Sequence, residues 1–189
     1  MEDSDSDSDS EPSGEVRVFD PVAGGEALVV LEGHTDEVYS LTAFMDPATG
    51  EARLVSGALR ESVRVWNPAA SGAAIEAGPE GHSWDVYALV TFLDPATGAL
   101  RVATGSMDGT IRVWDAETGG ALLVIKEWAS ALAVFADPAT GAPRLACALG
   151  TKVRVFDPVA GGKALLVLDV GSVVRALAFF ADPATAAPR

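Results

Sequence analysis

The chain of 189 residues contains 27 acidic and 13 basic side chains, which give a formal net charge of −14 at pH 7, and 49% of its residues are hydrophobic. This composition supplies enough apolar material for a folded core but no basic surface for a phosphate backbone, so we expect no nucleic-acid partner. Because no segment reaches the roughly 18 uninterrupted apolar residues of a membrane helix, we expect no membrane partner either.

Residues 1–14 are predicted to form a disordered acidic Ser/Asp tail. The first fifteen residues carry seven acids and no base, and so polar a segment cannot bury enough apolar surface to fold. Its serines that precede an acid resemble substrates of acid-directed kinases, and the other interpretation is a solubilising extension. The tail is unlike a secretory signal, and the single cysteine, Cys147, excludes an internal disulfide. We therefore expect the protein in the cytoplasm or the nucleus.

From residue 15 onward, the sequence repeats itself at intervals of 42 to 48 residues. The motif VRVF, VRVW or IRVW begins at Val16, Val63, Ile111 and Val153. The motif DPAT begins at Asp46, Asp94, Asp137 and Asp182. The hexapeptide DPVAGG occurs at 20–25 and again, unchanged, at 157–162. Such a period indicates an architecture in which each copy is one unit of supersecondary structure.

Each period contains four short runs of strand-forming residues. In the best-defined copy the predicted strands cover 86–92, 100–104, 110–114 and 121–125, with Asp, Pro and Gly turns between them. In chain order, the sequence predicts the third and fourth strands of a first sheet, three complete four-stranded sheets, and one further first strand at 173–180, fifteen strands in all. Since one such sheet cannot bury both of its faces alone, we expect the copies to stack around an axis.

The ordered set of Gly81-His82, a strand, ATGSMDGT and IRVWD resembles the WD-repeat β-propeller family, and the resemblance covers residues 15–189. It implies an all-β propeller segment of four-stranded antiparallel blades, with three complete blades and partial blades at both ends, beside the separate tail at 1–14. Three arrangements stay open: an incomplete propeller such as a partial gene product, half a ring that pairs with a second copy, and a minimal, strained four-bladed ring.

The resemblance also implies a hydrogen-bonded set of four side chains inside the central blade, namely His82, Thr104, Asp108 and Trp114. In the family, the His bridges toward the Thr and the Asp, and the indole N–H closes the set. A buried indole N–H and a buried carboxylate both need partners. The set is therefore expected to hold strands together rather than to catalyse a reaction.

The neighbouring repeats match this set only in part. The preceding repeat matches at three positions, His34, Ser56 and Trp66, but Arg60 stands where the family has Asp. The repeat after the central one has no Gly-His and carries Cys147 and Phe156 at two of the positions. We expect packing to replace the missing hydrogen bonds in these blades.

The topology of the family places the Gly-His loops and the turns before VRVW on one face, which is its usual docking surface. Eight residues there are candidate anchors for a partner: Asp36, Arg60, Trp84, Asp85, Met107, Trp128, Lys152 and Arg175. Trp84 is the leading candidate, because Trp joins a large area to a polar tip, and packing on the adjacent loop is the other interpretation. For Trp128 we expect packing in the core, since its shortened loop pulls it inward.

Three further groups of residues are given structural roles. The Asp of each DPATG loop is interpreted as the first residue of a tight turn rather than as a calcium ligand, because no second acid follows at alternating spacing. The arginines of the VRVW-type motifs at positions 17, 64, 112 and 154 are expected to hold their heads in water. Cys147, in the apolar run LACAL, is expected to be a buried, inert thiol.

No nucleophile motif, phosphate loop or metal-spaced His/Cys set is present in the sequence. We therefore expect a non-catalytic scaffold without a cofactor, which binds proteins or peptides and can also self-associate through open blade edges. One alternative is a truncated propeller without an independent function. The other is a small-molecule or enzymatic site in the central channel, although the first strands offer poor chemistry there: Ser40, Thr42, Thr91, Ala133 and Ala178.

Overall fold

The computed structural model describes residues 14–59, 63–70, 74–76, 81–180 and 182, and these residues form antiparallel β-structure. The first eight strands are β1 (Val16–Val18), β2 (Val29–Leu31), β3 (Val38–Met45), β4 (Ala52–Ala58), β5 (Arg64–Trp66), β6 (Ala74–Glu76), β7 (Val86–Leu93) and β8 (Leu100–Ser106). The others are β9 (Ile111–Asp115), β10 (Ala121–Ile125), β11 (Ala131–Ala136), β12 (Pro143–Leu149), β13 (Lys152–Phe156) and β14 (Leu166–Asp169). A single 3-10 turn, Pro68–Ala70, is the helical element of this part of the chain, and no described helix is long and apolar enough to cross a membrane.

The strands form four sheets, each in sequence order. We call β1–β2 the terminal sheet, β3–β6 blade 1, β7–β10 blade 2 and β11–β14 blade 3. All three blades share one register between their second and third strands, where Ser56, Thr104 and Cys147 each pair with the Arg of the following motif. The prediction of an all-β fold of four-stranded antiparallel blades is thereby confirmed.

The DPAT segments that begin at Asp46, Asp94 and Asp137 end the first strands in tight turns, and the residues after Asp182 in the fourth segment lie outside the described part of the chain. Oδ1 of Asp94 accepts the N–H of Ala96 at 2.9 Å, and the backbone oxygen of Asp94 accepts the N–H of Gly98 at 2.8 Å. Gly98 has φ of +69°, a left-handed conformation that glycine adopts without strain. The same geometry recurs after β3 and β11. Each Asp therefore caps a turn, as the pattern predicted.

An arginine ties each of these turns to the neighbouring strands. Arg101 of β8 donates to Asp115 at the end of β9 at 2.5 Å and to Asp94 at 3.3 Å. Arg144 of β12 bridges Asp137 and Asp157 in the same way, at 2.7 and 3.5 Å. These ion pairs are partly buried, so solvent screens them less than it screens surface pairs, and they connect the DPAT turns of blades 2 and 3 to the third strands of the same blades.

The blades pack face to face, and glycines set their spacing. A Cβ atom at Gly105 of β8 would lie 2.9 Å from Cβ of Ala129, at the start of blade 3. At the equivalent Gly57 of β4, it would lie 2.7 Å from Cγ1 of Val86 in blade 2. Apolar side chains from both neighbours fill the rest of each contact, for example Ile125 of β10 and Leu145 of β12.

The prediction of a fifteenth strand at 173–180 is wrong for the described chain, in which fourteen strands are present. The segment lies against blade 3: the N–H of Val174 donates to the carbonyl of Gly150 at 2.8 Å, and Phe179 stacks on Phe135 with ring centroids 4.5 Å apart. It occupies the place that the first strand takes in the other blades, but no described second strand pairs with it. In the described residues no strand pair joins the terminal sheet to blade 3 or to this segment, so the blades form an open arc.

Candidate functional site

The side chains singled out in the central blade lie together at one end of blade 2. Nδ1 of His82 lies 2.8 Å from Oδ2 of Asp108, and Nε2 lies 2.6 Å from Oγ1 of Thr104. The indole N–H of Trp114 donates to the same Thr104 oxygen at 2.8 Å. Thr110 adds a hydroxyl donor to Oδ1 of Asp108 at 2.6 Å. The network links the loop before β7 with strands β8 and β9.

Burial controls the protonation of this network. Burial lowers the pKa of His82 from its ordinary 6.5, although the hydrogen bond to Asp108 opposes the shift. Burial alone would raise the pKa of Asp108, but hydrogen bonds from Thr110 and His82 outweigh it and hold that pKa below 3.8. At neutral pH the site therefore holds a neutral imidazole and a carboxylate whose hydrogen bonds stay inside the blade.

We expect the protein to lose stability as the pH falls below about 6.5, because the unfolded chain then binds a proton at His82 that the folded chain excludes. A second loss follows below 3.8, as the pH falls through the depressed pKa of folded Asp108. Urea unfolding from about pH 8 to about pH 4.5 measures the first loss. In His82→Gln the slope of the unfolding free energy between about pH 6.5 and 5 should be smaller than in the wild type, and equal slopes would contradict the assignment.

Blade 1 holds a smaller version of the network. Nε2 of His34 lies 2.6 Å from Oγ of Ser56, and the indole N–H of Trp66 donates to that oxygen at 2.7 Å. The imidazole meets the edge of the Trp66 ring, with centroids 5.8 Å apart. Arg60, which stands at the Asp position and was also a docking candidate, lies outside the described residues.

Blade 3 replaces these hydrogen bonds by packing. Cys147 is fully buried in β12, and burial raises the pKa of its thiol to about 11. Phe156 is buried in the same apolar cluster. The thiol is therefore protonated and inert at neutral pH, as the apolar run around it predicted.

Three of the motif arginines differ from the prediction that their heads lie in water, whereas the side chain of Arg17 is half exposed and pairs with Glu15 at 2.6 Å. The guanidinium of Arg112 lies over the ring of Trp114 at 5.7 Å, and Arg64 lies over Trp66 at 5.9 Å. Arg154 is ion-paired with Glu127. Arg112 and Arg64 each lie two residues before the tryptophan in the same strand, so the guanidinium reaches the indole ring. The contacts hold each arginine side chain against its own blade.

The face that the family resemblance predicts for docking, called the docking face below, is the end of the blades that carries the His34 and His82 loops. Trp84 is half exposed there, on a loop whose backbone is fixed by Ser106, whose hydroxyl donates to the Trp84 carbonyl at 2.9 Å. Met107 is also exposed, and its N–H donates to the carbonyl of Asp85 at 3.1 Å. Lys152 and Arg175 are exposed, and Asp36 is half-buried.

Two candidates on this face differ from their predictions. Asp85, a candidate anchor, is only 8% exposed, and its carboxylate accepts the hydroxyl of Tyr87 at 2.9 Å. Trp128 was expected in the core but remains 40% exposed. The shortened loop does not draw this indole inward, since Ala129 and not Trp128 takes the buried position against Gly105.

A pair of tyrosines on the same face was missed. Tyr39 donates to Glu37 at 2.7 Å in blade 1, as Tyr87 does to Asp85 in blade 2, and the two rings lie 5.3 Å apart. The hydrogen bond to Glu37 raises the pKa of Tyr39 to about 12. The signal was present in the sequence as an acid two residues before a tyrosine, Glu-Val-Tyr and Asp-Val-Tyr, at the start of two first strands.

The opposite end of blades 1 and 2 carries a cavity of about 560 Å³. It lies between the DPAT turns and includes Arg53, Thr97, Asp115 and Glu117 in its lining. The described residues contain no group of three or more His, Cys, Asp or Glu side chains that could hold a metal ion. The cavity lies at the other end of the blades from the histidine networks.

Comparisons with known proteins agree with this geometry. The family model described as "WD40: WD domain, G-beta repeat" matches residues 25–67 and 77–115. The crystal structure of the computationally designed Ika4 protein shares 30% sequence identity with this chain. The match covers 82% of this chain and 88% of that one, with a TM-score of 0.59. No curated protein matches the sequence. The matched ranges contain the two histidines and their serine, threonine and tryptophan partners.

Proposed function

Because the chain belongs to the WD-repeat family, we propose that it is a non-catalytic scaffold that binds protein or peptide partners on the docking face. WD repeats generally mediate interactions between proteins. The polar side chains of the His82 network hydrogen-bond to one another inside blade 2. We also propose a cytoplasmic or nuclear location, which the single cysteine of the sequence favours.

The observation that carries the proposal is the exposed indole of Trp84 on a rigid loop. The residue before it, Ser83, donates its N–H to Asp108 at 3.3 Å, and the residue before that is His82 of the buried network. A large aromatic side chain on a fixed backbone loses little conformational entropy when a partner covers it. The exposed Met107 and the tyrosine pair extend the same face with aromatic and apolar area.

Trp84→Ala should weaken partner binding by about thirtyfold or more, since truncation of a central aromatic anchor costs about 2 kcal/mol or more. Peptides selected from a displayed random library against the wild-type chain serve as the probe, and their Kd is measured by calorimetry. The melting temperature should not change, because Trp84 is half exposed.

Leu122→Ala is the matched control, because Leu122 is equally exposed but lies at the outer strand β10. It should leave the Kd unchanged. Peptides that bind Trp84→Ala as tightly as the wild type, or a melting temperature that falls together with the affinity, would count against the docking role of this residue.

A second proposed property is self-association through the open ends of the arc. Its support is the apolar surface of β14, where Leu166, Val167 and Leu168 are all exposed. Soluble monomers rarely expose contiguous apolar patches of this kind. The proposal is independent of the docking face, since β14 lies at the rim of blade 3 and Trp84 lies in blade 2.

A further inference from the structure

The two copies of the hexapeptide DPVAGG have the same sequence but different surroundings. In the second copy, after β13, Pro158 is fully buried, and a Cβ atom at Gly161 would lie 2.7 Å from Cδ1 of Leu123 in blade 2. In the first copy, after β1, Pro21 is exposed, and no described atom lies within 4 Å of such a Cβ atom at Gly24. One loop is thus packed against a preceding blade and its twin faces solvent.

The residue before each hexapeptide shows the same contrast. Phe156, at the end of β13, is 2% exposed in the apolar cluster between blades 2 and 3. Phe19, which follows β1 at the equivalent place, is 51% exposed. The terminal sheet therefore presents, uncovered, the side chains with which blade 3 covers blade 2.

The apolar surface that these side chains would cover is also present, on strand β14, and is exposed to solvent. Leu123 and Ile125 of β10 pair in register with β9 as Leu166 and Leu168 of β14 pair with β13. Ile125 is 5% exposed because blade 3 lies on it, whereas Leu168 is 46% exposed. Blade 3 thus repeats the apolar outer-strand surface of blade 2 without a neighbour on it.

We propose that a second copy of this chain covers the exposed apolar surface of β14. The terminal sheet of that copy packs on β14 as blade 3 packs on β10. The inference rests on the proposed self-association and specifies its geometry. Gly24 and Phe19 of one copy lie against Leu166 and Leu168 of the other, which repeats an interface already present within the chain. The contact is head-to-tail, because the two surfaces are at opposite ends of the arc.

Head-to-tail contacts close into rings when their rotation permits and otherwise extend into filaments. At each junction, residues 173–180 of one copy take the place of the first strand of a blade. Strands β1 and β2 of the other copy take the places of its third and fourth strands. Two copies would then form a ring of about eight blades, the upper end of the usual range of roughly four to eight. The charge of −14 on each copy opposes this contact, so association should increase with salt.

The self-association is tested by light scattering on the purified chain, and the contact is tested by disulfide trapping. Two populations, one carrying Gly24→Cys and the other Leu166→Cys, are mixed and mildly oxidised. The expected result is a mass of twice 19.4 kDa in solution and a covalent dimer from the mixture that neither variant gives alone. Cys147 is buried with a raised pKa, so it does not compete.

The matched control uses the equivalent pair inside one chain: Leu123→Cys with Gly161→Cys should form an intramolecular disulfide. If that control forms, and the wild type self-associates, but the mixture gives no dimer, then the proposed contact is wrong and self-association stands. A strictly monomeric wild type overturns both. A monomeric disulfide in the double variant Gly24→Cys/Leu166→Cys would show a ring closed by a single chain and would also overturn the inference.

Discussion

Trp114→Ala is expected to lower the free energy of unfolding by about 3–5 kcal/mol. The indole is 2% exposed, packs in the cluster between blades 1 and 2, and meets the edge of the His82 ring with centroids 5.8 Å apart. Its removal leaves a cavity and also takes away the donor that Thr104 accepts from. Urea unfolding monitored by circular dichroism measures the loss.

Two further variants separate the contributions of volume and hydrogen bonding. Trp114→Phe keeps most of the volume but removes the N–H, and we expect a loss of about 1–3 kcal/mol. Blade 3 carries Phe156 at the equivalent place, which shows that the site accepts a phenyl ring. Trp84→Ala removes an exposed indole of the same blade and should cost less than about 0.5 kcal/mol. A loss at Trp114 no larger than at Trp84 would refute the role of the network.

Gly105→Val is expected to cost about 1–3 kcal/mol or more by forcing blades 2 and 3 apart. The added Cβ would lie 2.9 Å from Cβ of Ala129 and 3.0 Å from its carbonyl oxygen. Because the second of these atoms is backbone, it cannot move aside by a rotamer change. Thermal and urea unfolding measure the loss, and hydrogen exchange should show faster opening of β8 and β11 than in the wild type.

Gly120→Val is the control for this substitution. Gly120 is exposed between β9 and β10, and the nearest atom to an added Cβ is Oγ1 of Thr118 at 3.4 Å. Neither Gly105 nor Gly120 has a positive φ, so the two variants differ in packing and not in backbone strain. If both substitutions cost the same, the spacing between blades is not set by Gly105.

The sequence was sufficient to predict those features that depend on local order. The spacing of apolar residues and the Asp-Pro turns predicted three complete blades, because the strand pattern and its turns lie within one period. The segment 173–180 has the same alternation as β7, yet it is not a strand. A strand requires a ladder partner, and the pattern of one segment does not reveal whether the partner is present.

The burial of individual side chains on the docking face could not be read from their own loops. The carboxylate of Asp85 accepts the hydroxyl of Tyr87, and the Tyr39 ring of the preceding blade lies against Tyr87. Trp128 stays exposed because Ala129 is small enough to take the place against Gly105. Both outcomes depend on the neighbouring blade, which is distant in sequence.

The common register of blades 1, 2 and 3 has a consequence for how such a chain can change length. Each blade contacts only the one before it and the one after it, so stability is approximately a sum of unit and junction contributions. Duplication or loss of one whole period in a gene would create a junction between surfaces that already fit each other. The number of blades can therefore grow or shrink by recombination without a new core having to evolve at the joint.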